Sequence, residues 1–267
     1  VMDLSPVAHL AALEGKVPFI NFFDGFRTSH EIQKIAVWDY ADLKDMCDMD
    51  AVAEFRKHAL NPEHPHMRGS HENGDIFFQH REACNKYYEA LPAVVEKCME
   101  KVNAKLGTNY QLFNYYGAPD ADRVIVAMGS ICDVAEEVID YLNAHGEKVG
   151  LVKVRLFRPF APEKLIEAIP ATCKKIAVLD RTKEPGAQGE PLYQDVVTAL
   201  ANAGKNDITV IGGRYGLGSK DTPPASVFAV YTELAKAEMK RQFTIGIVDD
   251  VTNMSLPEDP NCPNTAA

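Results

Sequence analysis

The sequence lacks both a long apolar run and an excess of positive charge. None of its 267 residues belongs to an apolar stretch near the ~18 residues that a membrane span needs. We therefore expect a cytoplasmic protein that does not enter a membrane. Lys and Arg total 28 against 38 Asp and Glu, which gives a formal charge of −10. This charge repels a phosphate backbone, so nucleic acid is not an expected partner.

Clustered cysteines are also missing. The six cysteines are scattered, and the closest two, Cys84 and Cys98, are 14 positions apart. An iron–sulfur cluster usually takes its thiolates from a tight run such as C-x2-C-x2-C, so this chain alone is not expected to bind a cluster. Because no secretion signal is present in the sequence, we expect reduced thiols, as in cytosolic proteins.

Composition and length are those of a globular protein. Hydrophobic residues make up 46% and charged residues 25% of the chain, and the length favours two domains.

Both ends are typical of cuts in a longer chain, because residues 1–6 open inside an apolar helical pattern and residues 257–267 are linker-like. We therefore expect a fragment, or one subunit of a split enzyme.

Apolar spacing near the start predicts a helix, a strand and then another helix. Residues 7–13 have the spacing of the end of a helix that Gly15 closes, and residues 17–23 are an apolar run typical of a strand. Residues 28–31 have the T-x-x-E form of a capping box, which predicts that a helix begins there.

The rest of the first half divides into an irregular segment and one long helix. Residues 61–81 are rich in His, Pro, Gly and Asn, which predicts little regular structure. Apolar residues then recur at spacings of three and four over residues 87–106, and Gly107 follows the last of them. We place a domain boundary close before Leu112, so that residues 1–110 form a first domain with a His/Pro-rich arm.

The second half alternates strand and helix patterns. Four helical stretches separate five strand candidates, which are Val124–Met128, Val149–Arg155, Ile176–Asp180, Ile208–Ile211 and Phe243–Val248. This alternation requires crossover connections, which are typical of a largely parallel sheet with helices on both faces. Residues 111–256 are therefore predicted to form a three-layer α/β domain, and residues 257–267 to be a linker.

Two loops of this domain are candidate sites. Residues 213–220 (GRYGLGSK) lie between a strand and a helix, where exposed amides are able to hold phosphate. The phosphate-binding order is G-x-x-x-x-G-K-[ST], however, and here Ser219 precedes Lys220. A glycine-permitted tight turn is therefore favoured over phosphate binding.

The second loop, residues 180–190, follows the third strand candidate at the strand end where ligands gather in open parallel sheets. No nucleophile or base pair stands out in it, so a structural loop at a domain or subunit contact is favoured over a ligand site.

Histidines and one glutamate in the first half are the remaining candidates. His64, His66 and His71 suggest metal ligands, but no nearby Cys or Asp–Glu set completes a coordination shell, so solvated or interface histidines are favoured. Glu31 is a candidate acid or base. Its position in the capping box explains it without catalysis, and we favour that role.

Five stretches in order resemble the pyruvate:ferredoxin oxidoreductase family, which includes the flavodoxin-linked enzymes. They are FFDGFRTSHE (22–31), NPEHPH (61–66), LDRTKEPG (179–186), GRYGLGSK (213–220) and GIVDDVT (246–252). The resemblance implies an α/β chain that holds the C-terminal part of the thiamine pyrimidine-binding domain in residues 1–110. It further implies a mostly parallel αβα domain, similar in fold to the C-terminal domain of transketolase, from residue 111.

The resemblance also implies a reaction and its cofactors. Such an enzyme converts pyruvate and coenzyme A to acetyl-CoA and carbon dioxide, and it passes two electrons through iron–sulfur clusters to ferredoxin or flavodoxin. Thiamine diphosphate with magnesium carries the decarboxylation. The resemblance implies a homodimer and places the family's catalytic, cofactor-binding and metal-binding residues outside this chain, so we expect none among residues 1–267. The alternative is a free-standing nucleotide- or coenzyme-binding module that uses the turn at residues 212–220.

Overall fold

The computed structural model describes residues 1–25, 27–67 and 69–263, which divide into two compact units. The first unit consists of residues 1–22 and 32–111. The second consists of residues 23–31 together with the chain from Leu112 onward. Residues 23–31 thus make their contacts with the second unit although the chain on both sides of them belongs to the first. We call this segment the strap.

The first unit is helical. Its helices are α1 (Leu4–Gly15), α2 (Tyr40–Met46), α3 (Met49–Lys57), α4 (Phe77–Ala83) and α5 (Asn85–Leu106). The core lies between α1 and α5 and includes Leu10, Leu91 and Val102. Beside it, the Lys101 ammonium contacts the Glu14 carboxylate at 2.6 Å. The long helix predicted from the 87–106 spacing is confirmed, and Gly107 ends it with a left-handed φ of 68°.

The predicted strand at residues 17–23 is wrong. These residues have no regular structure, and Ile20 and Phe22 are 86% and 62% exposed. A strand needs a neighbouring strand for its amide and carbonyl groups, and the described residues of the first unit contain none. The apolar run therefore has the composition of a strand but no partner.

The helix predicted to begin at residues 28–31 is also wrong. A single 3-10 turn covers Thr28–His30, and Glu31 ends it in an extended conformation. Glu31 is therefore not part of a capping box. Ile32 and Ile35, which the helix would have buried, are 100% and 54% exposed. A short helix depends on packing of its apolar face, and this segment has no such packing.

The second unit is built on a six-stranded sheet. Its strands are β1 (Phe113–Gly117), β2 (Arg123–Ala127), β3 (Val149–Val154), β4 (Lys175–Asp180), β5 (Thr209–Arg214) and β6 (Gln242–Thr244). Their order is β1-β3-β2-β4-β5-β6, in which β1 runs antiparallel to β3 and all other pairs are parallel. The mostly parallel sheet is confirmed, although β6 is shorter than predicted.

Helices cover both faces of this sheet. They are α6 (Ile131–Ala144), α7 (Pro162–Ala168), α8 (Pro191–Asn202) and α9 (Pro224–Ala235). Successive strand residues point to opposite faces, and both Ile125 and its neighbour Val126 are fully buried, as are Ile176 and Ala177. Burial of both sets requires a layer on each face. Helix α6 packs with α9, and α7 packs with α8.

Strand β1 lies between the predicted domain boundary, close before Leu112, and the first strand candidate, Val124–Met128, where no strand was predicted. It is the antiparallel edge strand, and its residues Phe113–Gly117 pair with β3.

Throughout the described residues, every helix is too short or too polar to cross a bilayer.

Candidate functional site at the carboxyl edge of the sheet

Three of the five family-like stretches meet at the carboxyl edge of the sheet. Strands β2, β4 and β5 are neighbours and run parallel, so the loops that follow them lie side by side. The stretches 179–186 and 213–220 begin at the ends of β4 and β5, and the strap contacts the loops that follow all three strands. This edge is where open α/β sheets bind ligands, so we describe it as the candidate site.

Asp24 attaches the strap to the loops after β2 and β4. Its Oδ2 accepts a hydrogen bond of 2.6 Å from the Ser130 amide, at the start of α6, and lies 3.6 Å from Nη1 of Arg181. Gly129 has a φ of 82°, and a Cβ there would lie 2.6 Å from the Asp24 carboxylate. Only glycine leaves room for this carboxylate, whose side chain is 12% exposed.

Arg27 attaches the strap to the loop after β5. Its Nε donates to the Ser219 carbonyl at 3.0 Å, and its Nη1 pairs with Asp221 at 3.3 Å. Both side chains of the ion pair are more than half exposed, so the pair adds little stability. The two contacts join the strap to the loop after β5.

The loop after β5 is a glycine-dependent turn, as predicted. Gly216 and Gly218 have φ values of 67° and 60°, which residues other than glycine rarely adopt. The Nε of Arg181 donates to the Gly216 carbonyl at 3.1 Å, and a Cβ on Gly216 would lie 2.8 Å from the same nitrogen. The turn therefore packs directly on the Arg181 side chain.

Asp180 ends β4 and holds the start of α8. Its two oxygens accept hydrogen bonds from the amides of Leu192 (2.9 Å) and Tyr193 (3.1 Å), and the residue is buried. Burial raises the pKa of Asp180 to about 6, although the two amide hydrogen bonds act in the opposite direction. The carboxylate therefore serves as a cap for α8 and is not positioned as an open acid or base.

We expect the Asp180→Asn variant to show how stability depends on this carboxyl. The folded protein holds the Asp180 proton more tightly than the unfolded chain, so the carboxyl stabilises folding at low pH, and this contribution declines as pH rises from about 4 through about 6. The free energy of unfolding of the variant, compared with that of the parent at the same pH, should therefore rise by on the order of 2 to 3 kcal/mol from pH 4 to pH 7. Guanidinium unfolding at both pH values measures it. A pH-independent difference would contradict the shifted pKa.

A buried ion pair closes the loop at residues 181–190. Glu190 Oε1 lies 3.2 Å from Nη1 of Arg214, with side chains 6% and 10% exposed. The other Glu190 oxygen accepts a hydrogen bond from the Glu184 amide at 2.6 Å, and Arg214 Nη2 lies 3.2 Å from the Met254 sulfur. The loop is thus built around internal contacts, and its place at a domain or subunit contact stays a prediction.

Two of the helix N-termini at this edge hold carboxylates of the chain itself. The N-terminus of α6 holds the Asp24 carboxylate, and that of α8 holds the Asp180 carboxylate. Helix α9 follows Pro223 and begins at Pro224, and proline has no N–H to donate. Carboxylates therefore occupy the amides of α6 and α8 that could hold a phosphate, and α9 lacks the first such amide.

The three histidines lie in the irregular part of the first unit. His64 closes a one-residue bridge with Asn61, His66 is exposed, and the His71 ring contacts the Asn73 side chain at 2.7 Å. Across residues 1–25, 27–67 and 69–263, no group of three or more His, Cys, Asp or Glu side chains has the arrangement of a metal site.

A shallow cleft of about 670 Å³ lies beside β6 and is lined by the fifth family-like stretch. Its two cationic residues are Lys220 and Lys240. The Lys240 ammonium already donates to the carbonyls of Asn253 (2.7 Å) and Ser255 (3.0 Å). Lys240 therefore holds the wall of the cleft in place.

Two family models match this chain in succession. The model described as pyruvate flavodoxin/ferredoxin oxidoreductase, thiamine diphosphate-binding, matches residues 1–100. The model described as pyruvate:ferredoxin oxidoreductase core domain II matches residues 121–227. Both belong to the same enzyme, and together they cover most of the chain in the order that the resemblance implies.

Curated relatives agree with these models. A pyruvate:ferredoxin oxidoreductase of Moorella thermoacetica is 60% identical over 256 residues, and a pyruvate-flavodoxin oxidoreductase of Enterobacter agglomerans is 56% identical over 257 residues. Each match covers 96% of this chain and 22% of the relative. A pyruvate dehydrogenase [NADP(+)] of Cryptosporidium parvum is 48% identical over 259 residues, which are 96% of this chain and 13% of the relative. The chain thus spans about a fifth or less of the length of these relatives, and it belongs to the pyruvate:ferredoxin/flavodoxin oxidoreductase family.

Proposed function

We propose that this chain is a structural segment of an enzyme that oxidatively decarboxylates pyruvate in the presence of coenzyme A. The products are acetyl-CoA and carbon dioxide, and the electrons reduce ferredoxin or flavodoxin. The observation that carries this proposal is the succession of the two family models along one chain, with 60% identity to a pyruvate:ferredoxin oxidoreductase over 256 residues.

Within that enzyme, residues 1–110 are the C-terminal part of the pyrimidine-binding domain, residues 111–256 are the second domain, and residues 257–267 are a linker. Thiamine diphosphate with magnesium supplies the electron sink for decarboxylation, and iron–sulfur clusters carry the electrons. The N-termini of helices α6 and α8 hold carboxylates of this chain, which supports placing the diphosphate and its metal in other parts of the enzyme. We therefore assign no catalytic, cofactor-binding or metal-binding residue to this chain.

The contribution of this chain is the frame around the carboxyl edge of the sheet. Asp24, Asp180 and Glu190 all use their carboxylates to fix backbone amides. Such groups give a rigid support on which the catalytic parts of an enzyme depend. This role accounts for a polar loop cluster that contains no acid–base pair.

We further propose that this segment does not select the electron acceptor. The relatives are named after ferredoxin, flavodoxin and NADP(+), yet all match at least 96% of this chain at 48% identity or more. A segment that recognised the acceptor would differ among them. Acceptor choice then belongs to other parts of a cytoplasmic enzyme, which we propose to be a homodimer.

The full-length protein, purified without oxygen, provides the test. We expect reduction of ferredoxin or flavodoxin that requires both pyruvate and coenzyme A, and turnover should fall when either is omitted. Assays with 2-oxoglutarate in place of pyruvate decide the substrate class. Reduction that proceeds with 2-oxoglutarate and not with pyruvate would contradict the proposed substrate.

A nucleotide- or coenzyme-binding module is the competing function. It requires open amides in the turn at residues 212–220, but this turn packs on Arg181 and the following helix begins with Pro224. Calorimetric titration of the chain with ADP and with coenzyme A tests this alternative, and we expect no heat of binding at millimolar ligand.

A further inference from the structure

The crevice between β2 and β4 is the position at which an open α/β sheet would normally bind a ligand. From β2 the chain crosses to β3 on one side, and it then returns to β4 on the other side of β2. The loops after β2 and β4 therefore separate at their carboxyl ends, and this divergence creates a ligand crevice. In this protein the Asp24 side chain lies in that crevice, between Ser130 and Arg181.

The groups around Asp24 form a receptor for an anion. The Ser130 amide opens α6, whose 14 residues direct the positive end of the helix dipole toward the carboxylate. The Arg181 guanidinium adds a full positive charge at 3.6 Å, and Gly129 leaves the space that the carboxylate fills. A helix amide, a cation and a glycine cradle thus converge on one side chain from two different loops.

We propose that this crevice is a carboxylate-binding site and that its resident ligand is the Asp24 side chain of the strap. The Asp24 side chain then binds the crevice as a ligand that is covalently attached to the protein. A free carboxylate of the same size takes its place when the Asp24 side chain is removed. The proposal concerns this chain alone and does not depend on the reaction of the whole enzyme.

Covalent attachment explains why the site is normally closed to free anions. The tether keeps the Asp24 carboxylate at a high effective concentration beside its receptor, so a free monovalent anion competes poorly with it. Removal of the carboxylate leaves a positively charged crevice that is largely shielded from solvent. Acetate has the same charged group and the size of the missing side chain, so it is the appropriate probe.

The test uses the whole chain with the Asp24→Gly substitution, which removes the entire side chain, and follows thermal unfolding by circular dichroism. The loss of a charge-assisted hydrogen bond should lower the transition midpoint by about 4 °C or more. Acetate should restore at least half of this loss in a saturable manner. Acetamide, which is neutral, and chloride at the same ionic strength should not restore the transition midpoint. If the variant is unfolded at room temperature, acetate-dependent refolding is the readout.

Two further variants serve as controls. Glu137→Ala removes an exposed carboxylate from the same helix and should show no specific response to acetate. Asp24→Gly combined with Arg181→Met should lose the response, because the guanidinium is gone. An equal effect of acetate and acetamide on Asp24→Gly, or an effect of acetate no larger than that on Glu137→Ala, would overturn the proposal.

Discussion

Replacing Arg214 by methionine is expected to lower the free energy of unfolding by about 3–5 kcal/mol. The substitution keeps much of the side-chain volume but leaves the Glu190 carboxylate buried without its cation. An unpaired buried charge is costly because the protein interior does not solvate it. Chemical unfolding of the chain, followed by circular dichroism, measures the loss.

Two controls separate charge burial from simple loss of a cation. Arg158→Met removes a half-exposed arginine that pairs with Asp195 at 2.6 Å, and it should cost less than about 1 kcal/mol. The double variant Arg214→Met with Glu190→Leu removes both buried charges and should recover much of the stability. If the double variant is as unstable as the single one, the ion pair is not the cause.

Replacing Gly117 by alanine is expected to lower the free energy of unfolding by about 3 kcal/mol, because a backbone penalty and a steric penalty add. Gly117 has a φ of 121°, a backbone angle that residues with a side chain rarely adopt. A Cβ there would lie 2.5 Å from the Val149 carbonyl oxygen and 2.7 Å from the Gly150 Cα, and both of these are backbone atoms. The edge strand β1 would have to shift away from β3.

Gly204→Ala is the matched control for this prediction. Gly204 also has a positive φ, 68°, but a Cβ added there would meet no described atom within 4 Å. It should lose only the conformational part, about 1 kcal/mol. Equal losses at the two glycines, measured by the same unfolding experiment, would show that close contact at Gly117 has no effect.

The parallel strands and the long helix could be predicted because their signals are local. A strand buried on both faces is a nearly continuous apolar run, as in Val124–Met128, and this composition is visible without any contact. Helix α5 has a repeating apolar face and Gly107 at its end. The two wrong predictions, the strand at 17–23 and the helix from 28, have the same local signals without packing partners.

The edge strand β1 had a signal that the turn residues after it concealed. Phe113, Tyr115 and Tyr116 are residue types that favour strands, but Gly117 and Pro119 follow immediately and suggest a loop. The Tyr115 hydroxyl donates to the Ala118 carbonyl, so the same aromatic residues that form the strand also hold the turn.

The contacts of the candidate site could not be predicted, because they join residues that are distant in sequence. Asp24 and Ser130 are 106 positions apart, and Glu190 and Arg214 are 24 apart. No local pattern pairs such residues. The only signal was indirect: the strap, the 179–186 loop and the 213–220 loop are all stretches that resemble one family.

Titration of the chain with thiamine diphosphate and magnesium decides whether it supplies structure alone or catalytic groups as well. Trp38 is the only tryptophan, lies in the first unit, and donates to the Met2 carbonyl at 3.2 Å, so its fluorescence reports on the half of the chain that matches the thiamine-binding model. We expect no saturable change up to millimolar cofactor and no decarboxylation of pyruvate by the chain, whereas the full-length protein binds and turns over. Saturable, magnesium-dependent binding in the low micromolar range by the chain alone would contradict a purely structural role.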